Sequence, residues 1–236
     1  MLTPAHFFDL ATFQHNSLVD NDAWVWNMLN RLEQYLHEWF ENNKPQQSGK
    51  IAATARFYGD VSVGEGTVVE DGVVVYGPAI IGKDCEIRHS AYIRGQAILG
   101  DNAILGHASE LKHSIMLDHA KAPHFAYLGD SIIGNHVNLG AGTKLSNLAV
   151  SSEKDADGSR PTIKISINDE IIDTGLSKLG AIIGDQSQTG CNSVTNPGCL
   201  IGKNNLVYAN TSLAKGYYVD DTVLKLRQEI EPVTRY

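Results

Sequence analysis

The 236-residue chain is short of cysteine, short of basic charge and without a long apolar run. Its three cysteines, Cys85, Cys191 and Cys199, show no CxxC spacing, so they read as free thiols of a reducing compartment. No stretch approaches the roughly 18–20 apolar residues of a membrane-spanning helix. The first residues lack the basic start and apolar core of a secretory leader. Lys and Arg number 19 against 27 Asp and Glu, a formal charge of −8 and the wrong sign for a phosphate backbone. The expectation is a cytoplasmic protein with no nucleic-acid partner and no membrane association.

What the chain does have is a beat of six. Ile51, Phe57, Val63, Val69, Val75, Ile81, Ile87, Ile93, Leu99, Leu105, Leu111 and Leu117 follow one another at six-residue steps, and all are apolar. A helix repeats every 3.6 residues and an amphipathic strand every two, so neither explains the pattern. A hexad sustained this long marks a stacked solenoid in which each hexad supplies one short strand and one turn. Three hexads close one triangular coil, and each coil buries its apolar side chains only against its neighbours. The beat skips at His119–Asp130, resumes at Tyr127, Ile133, Leu139 and Leu145, stops, and returns at Ile183, Thr189, Thr195, Ile201, Val207, Leu213 and Val219. Seven to eight coils at about 4.8 Å each predict a prism of about 35 Å.

Three segments fall outside the beat. Residues 21–42 carry Val25, Met28, Leu29, Leu32, Leu36 and Phe40 at helical spacing, with Asn21 or Asp22 as candidate caps. The expected place of this helix, within an N-terminal segment 1–50, is over the first coil. Residues 149–180 interrupt the solenoid of 51–219 with a polar loop and a β-hairpin turning at Asn168-Asp169. Residues 220–229 suggest a short closing helix within a C-terminal tail, 220–236. The fold class is all-β, a hexapeptide-repeat parallel β-helix.

The stretch Pro123–Gly142, "PHFAYLGDSIIGNHVNLGAG", resembles the acetyltransferase half of the bifunctional N-acetylglucosamine-1-phosphate uridyltransferase/glucosamine-1-phosphate N-acetyltransferases. The stretch Thr174–Asp185, "TGLSKLGAIIGD", resembles the archaeal-type sugar-1-phosphate nucleotidylyltransferases that carry the same solenoid. The likeness covers about residues 55–215 and implies a left-handed winding, a homotrimer and acetyl-CoA as co-substrate, with no metal. The family's nucleotide-binding half has no counterpart in residues 1–50, so uridylyl transfer is not expected.

The resemblance also implies roles. His124 matches the general base, and an imidazole suits removal of an amine proton near neutral pH. Arg94 and Lys112, three hexads and so one coil apart, match contacts to the sugar phosphate. Tyr127, Asn138 and Lys178 match further acceptor contacts. Ala141 matches a position whose backbone N–H supports the reacting carbonyl oxygen. Cys191 and Ala209 match coenzyme A contacts, and Lys203, Lys215 and Arg227 are candidates for its phosphates. Two other readings stay open: a zinc enzyme using the nine histidines, and a solenoid kept as a scaffold. The sugar epimer and the acyl group also stay open.

Overall fold

The structure is a computed structural model that describes residues 1–150, 152–229, 231–232 and 234–235. From Lys50 onward the backbone is a three-sided parallel β-helix. The first face holds nine strands, from Lys50–Ile51 to Val223–Leu224. The second holds eight, from Arg56–Tyr58 to Ser212–Leu213, and the third eight, from Val61–Val63 to Gly216–Tyr218. Each strand pairs with the strand one coil away. Because side chains alternate across a strand, one residue per strand points into the prism. Val69, Ile87, Leu105 and Leu139 stack inside the first face, Val75, Ile93, Leu111 and Leu145 inside the second, and Ile81, Leu99, Met116 and Ile133 inside the third.

The register corrects the expected break. Ile93 pairs with Leu111, three full hexads on. Leu99 instead pairs with Met116, Leu105 with Ala122, and Leu111 with Leu128, each one position short of three hexads. A single residue is lost at the corner between the second and third faces. There Lys112-His113-Ser114 replaces the longer Arg94-Gly95-Gln96-Ala97 of the coil before. Residues 119–130 are therefore regular and contain the strand Lys121–His124. Met116 and Leu128 keep the beat. Leu117 packs outside the prism, and Tyr127 lies on the outer side of the second face rather than in the core. At the far end Tyr218, not Val219, takes the inward place.

The third face is apolar on its outer side as well. Ile80, Ile98, Ile115, Ile132, Ile182 and Leu200 form an outward ladder that is nevertheless buried. The chain's own N-terminal segment covers it: Phe7, Leu18, Met28, Leu29, Leu32 and Leu36 share one core with those residues. Each such side chain contributes about 1.5–3 kcal/mol when fully buried. The helix, Asn27–Asn42, thus runs along the flank and does not lid the first coil. It starts later than expected, with Trp26 at the cap, because Val25 N–H is tied to Leu2 O (3.0 Å). Polar latches fix the segment along the corner between the third and first faces. Asp9 N–H donates to Asp185 Oδ2 (2.7 Å), Thr12 to Asp118 (3.1 Å) and Gln14 to Asp101 (3.1 Å).

The insert forms the expected hairpin, Lys164–Ile167 against Glu170–Asp173. Asn168 and Asp169 both take positive φ (51° and 64°), as a type I′ turn requires. Ile163, Ile165, Ile167 and Leu179 fold back onto the third face beside the N-terminal segment. The apolar outer side of the third face is therefore covered from within the chain. The expected closing helix is absent from residues 220–229. Val223–Leu224 instead pairs with Leu206–Val207, since the open edge of the preceding coil offers unpaired backbone groups to the next segment. Residues 230, 233 and 236 of the tail, like Ser151 of the insert, lie outside the described residues.

Candidate functional site

The corner between the first and second faces carries a ladder of equivalent positions: Asp71, His89, His107, His124, Ala141, Cys191 and Ala209. Backbone hydrogen bonds define it. The residue after each ladder position donates its N–H to the carbonyl one coil back: Ser90 to Asp71 (3.2 Å), Ala108 to His89 (3.2 Å), Phe125 to His107 (2.9 Å) and Gly142 to His124 (3.0 Å). Asn192 to Ala141 (2.8 Å) and Asn210 to Cys191 (2.9 Å) continue the series. The donors Ser90, Ala108, Phe125, Gly142, Asn192 and Asn210 all have positive φ, the conformation that turns the chain at each corner. Four of the expected site residues, His124, Ala141, Cys191 and Ala209, therefore fall in one column.

His124 ends the strand Lys121–His124 and pairs with His107. Its side chain is exposed, with the ring 6.5 Å from that of Phe125. It stands on the regular corner, not on a looped-out break. His89 and His107 stack above it, ring centroids 5.5 Å apart. Their Nδ1 atoms donate to the carbonyls of Asp71 (2.8 Å) and His89 (3.0 Å). Ala141 is half-buried, and among the described residues its N–H has no hydrogen-bond partner.

The acceptor residues gather across the second face, on the other side of a three-residue strand, roughly 7 Å of backbone at about 3.3 Å per residue. Arg94 and Lys112 stand one above the other there, as their spacing predicts. Both are paired. Arg94 Nη1 lies 2.8 Å from Glu110 Oε1, and Lys112 Nζ lies 3.0 Å from Asp130 Oδ2. The Glu110 carboxylate's hydrogen bond holds the Arg94 guanidinium above its ordinary pKa. Tyr127 lies across the strand. Its hydroxyl donates to Asn147 Oδ1 (3.4 Å) and hangs over Gly129, where a Cβ would come within 2.6 Å of it. Burial first, then the charges of Glu110 and Asp130, push its phenol up.

Asp130 is the hub of this cluster, and the sequence reading missed it. Its side chain is 6% exposed. It accepts hydrogen bonds from Lys112 Nζ (3.0 and 3.2 Å), His113 Nδ1 (2.9 Å) and Asn147 Nδ2. Burial pushes its carboxyl up, but His113, Asn147 and the Lys112 cation together outweigh that and hold it below the usual carboxylate range. Its backbone carbonyl accepts from Gly180 (2.8 Å), and Asn147 O accepts from Leu179 (3.1 Å), so both ends of the insert are tied here. Exposed Lys178, next to Leu179, is thereby carried to the same corner. The signal for Asp130 lay one coil from Lys112 and His113, but only the shortened coil aligns the three.

Other expected residues fall elsewhere. Asn138 lies half-buried on the first face, between Lys121 and Gln188. Lys203 Nζ is bound to Ala5 O (3.1 Å), latching the N-terminal segment at a different corner from Cys191. Lys215 borders a hollow of about 830 Å³ beneath the insert, shared with Leu148, Pro161 and Lys164. Arg227 follows the last strand. His119 stacks on His136 (4.5 Å) at the corner between the third and first faces, so His119 and His124 stand at opposite ends of one strand. Among the described residues no helix is long and apolar enough to cross a membrane.

These elements define the class: a three-sided parallel β-helix of hexapeptide repeats. Within that class, residues 75–172 match the family described as GMPPB C-terminal domain. The chain is 36% identical over 99 residues to the bifunctional sugar-1-phosphate nucleotidylyltransferase/acetyltransferase of Sulfurisphaera tokodaii, covering 42% of this chain and 23% of that protein. It is 34% identical over 200 residues to the bifunctional protein GlmU of Methanococcus maripaludis, covering 85% of this chain and 46% of that protein. The chain thus spans less than half the length of these relatives, and it resembles them as its motifs led one to expect. The solved Francisella novicida UDP-N-acetylglucosamine acyltransferase aligns over 72% of this chain and 60% of that one, at 16% identity and a TM-score of 0.45.

Proposed function

We propose that this chain transfers an acetyl group from acetyl-CoA to the amine of an amino sugar 1-phosphate, with glucosamine 1-phosphate as the acceptor. The observation that carries the reading is the corner column. An exposed imidazole, His124, stands one rung from Ala141, whose N–H is unengaged among the described residues, and the small residues Cys191 and Ala209 continue the same line. At about 4.8 Å per rung, that column offers a narrow, small-residue track for an extended thioester.

The chemistry follows from those positions. The acceptor's phosphate engages the Arg94–Lys112 side, with Lys178 and Tyr127 beside it and Asn138 reaching in from the first face. The amine attacks the thioester carbonyl while His124 takes its proton. The Ala141 N–H stabilises the tetrahedral oxyanion. The C–S bond then breaks, and the coenzyme A thiolate recovers the proton from His124. Uridylyl transfer forms no part of this proposal. His124 on an open corner needs a second wall, and the third face is already covered. A homotrimer would therefore bring copies together at the first and second faces. The reading places the protein in the cytoplasm, where acetyl-CoA is made and used.

The test is thiol release from acetyl-CoA with glucosamine, galactosamine and their 1-phosphates. The expected result is release with a phosphorylated amino sugar. Silence with all of them would sink the reading.

A further inference from the structure

The acceptor cluster contains a second imidazole that neither the motif nor the relatives' names point to. His113 shares the Asp130 carboxylate with Lys112: Oδ1 lies 2.9 Å from His113 Nδ1 and 3.2 Å from Lys112 Nζ. An ionised carboxylate only accepts, so His113 Nδ1 carries the proton in that bond. The ring's Nε2 then points away from Asp130 and is the nitrogen left for a ligand. The side chain retains 17% exposure and Lys112 23%, so both reach the surface at one spot.

The shortened coil gives this pair its geometry. His113 and Asp130 hold the positive φ (45° and 46°) common to the corner residues, and they do so at the corner where the coil gives up one position of its three hexads, which brings the two side chains together at successive apices. The charges nearby are also closely matched. Arg94 faces Glu110 and Lys112 faces Asp130, so the two cations expected to hold a phosphate are each answered by a carboxylate. A phosphate arriving there needs a donor that is not already spent.

We propose that His113, held by Asp130 through its Nδ1–H, is a further acceptor-binding residue that, as the imidazolium, donates a hydrogen bond from its Nε2–H to the acceptor's phosphate and so helps select phosphorylated amino sugars. Asp130 is the positioning residue: it fixes His113, Lys112 and Asn147, and through Asn147 the Tyr127 hydroxyl, in one frame. This rests on the acceptor assignment made above.

The experiment uses the full chain and His113→Asn, since Asn tolerates the left-handed backbone. The readout is the ratio of kcat/KM for glucosamine 1-phosphate to that for glucosamine. It falls about tenfold in the variant, as loss of one hydrogen bond to a charged group would give. A ratio equal to the parent's, with both substrates slowed alike, marks His113 as purely structural and overturns the inference. Asp130→Asn gives the second reading: KM for the phosphorylated acceptor rises more than kcat falls, whereas a fall in kcat alone overturns the positioning role. Calorimetric titration with glucosamine 1-phosphate, without acetyl-CoA, separates the two proposals. Binding by the parent that weakens in His113→Asn, without transfer by either, overturns the transfer reading alone. Equal binding by both overturns the inference alone, and no binding by the parent overturns both.

Discussion

His124 and Ala141 occupy successive rungs of one corner, joined where Gly142 N–H donates to the His124 carbonyl at 3.0 Å. They stand a single coil apart, so a base and an unengaged amide are separated by about one strand spacing. That relation ties a reaction to a place on the prism, and it makes the first prediction direct. His124→Ala should lower kcat about 10²–10⁴-fold, the usual worth of a positioned acid–base group. Its melting temperature should stay near the parent's because the side chain is exposed. Full acetyl transfer by the variant would remove His124 from the mechanism.

Two glycines should respond oppositely to a methyl group. At Gly129 a Cβ would meet the Tyr127 hydroxyl (2.6 Å) and the Asn147 amide (2.7 Å), both flexible side-chain ends. Gly129→Ala should therefore fold but displace Tyr127, raising KM for the acceptor about five- to tenfold, on the scale of one hydrogen bond. At Gly106 the same atom would overlap the Pro123 carbonyl oxygen, which is backbone and cannot swing aside. Gly106→Ala should cost roughly 3 kcal/mol in denaturant unfolding.

The docking of the N-terminal segment should weaken in acid. Burial lowers the His15 pKa from 6.5 to about 4, with Asp101 opposing, and Nδ1 lies 2.6 Å from the Tyr35 hydroxyl. Between those two values the unfolded chain binds a proton that the folded chain refuses. Stability present above pH 6.5 is thus lost as the pH falls towards 4, by at most about 3 kcal/mol. Urea unfolding across that window, in the parent and in His15→Leu, checks this. The variant should lose that part of the slope.

Only one thiol should be reactive in the native protein. Cys191 is exposed, whereas burial pushes Cys85 up to about 11 and Cys199 up to about 12. Titration with an aromatic disulfide should therefore find one fast thiol natively and three in denaturant. Coenzyme A should slow the fast one if the corner column is its track.

Removing residues 1–45 should expose Ile80, Ile98, Ile115, Ile132, Ile182 and Leu200 together. A contiguous apolar strip of that kind is an aggregation surface. The truncated chain should self-associate and bind a hydrophobic dye in size-exclusion and fluorescence assays. A soluble, dye-silent product would show that the cover is dispensable.

The six-residue beat made the solenoid legible because its inward positions tolerate little but aliphatic residues. The same beat misplaced Tyr127 and Val219. A one-residue shortening at a corner leaves Met116, Ala122 and Leu128 inward while Leu117 and Tyr127 still look regular in the sequence. The closing helix failed for a related reason. Residues 220–229 mix charge and apolar groups at helical spacing, but the open strand edge of the preceding coil overrides that local preference.

By itself the sequence determined the repeat, the hairpin turn at Asn168-Asp169 and the one-coil spacing that stacks Arg94 on Lys112. Those are matters of period and backbone conformation, which short stretches of chain carry. Only the tertiary structure decided that the N-terminal segment runs along the third face and that Lys112 and His113 meet on Asp130. Both depend on which distant surfaces can bury apolar area or satisfy a charge, and no local pattern of residues encodes that.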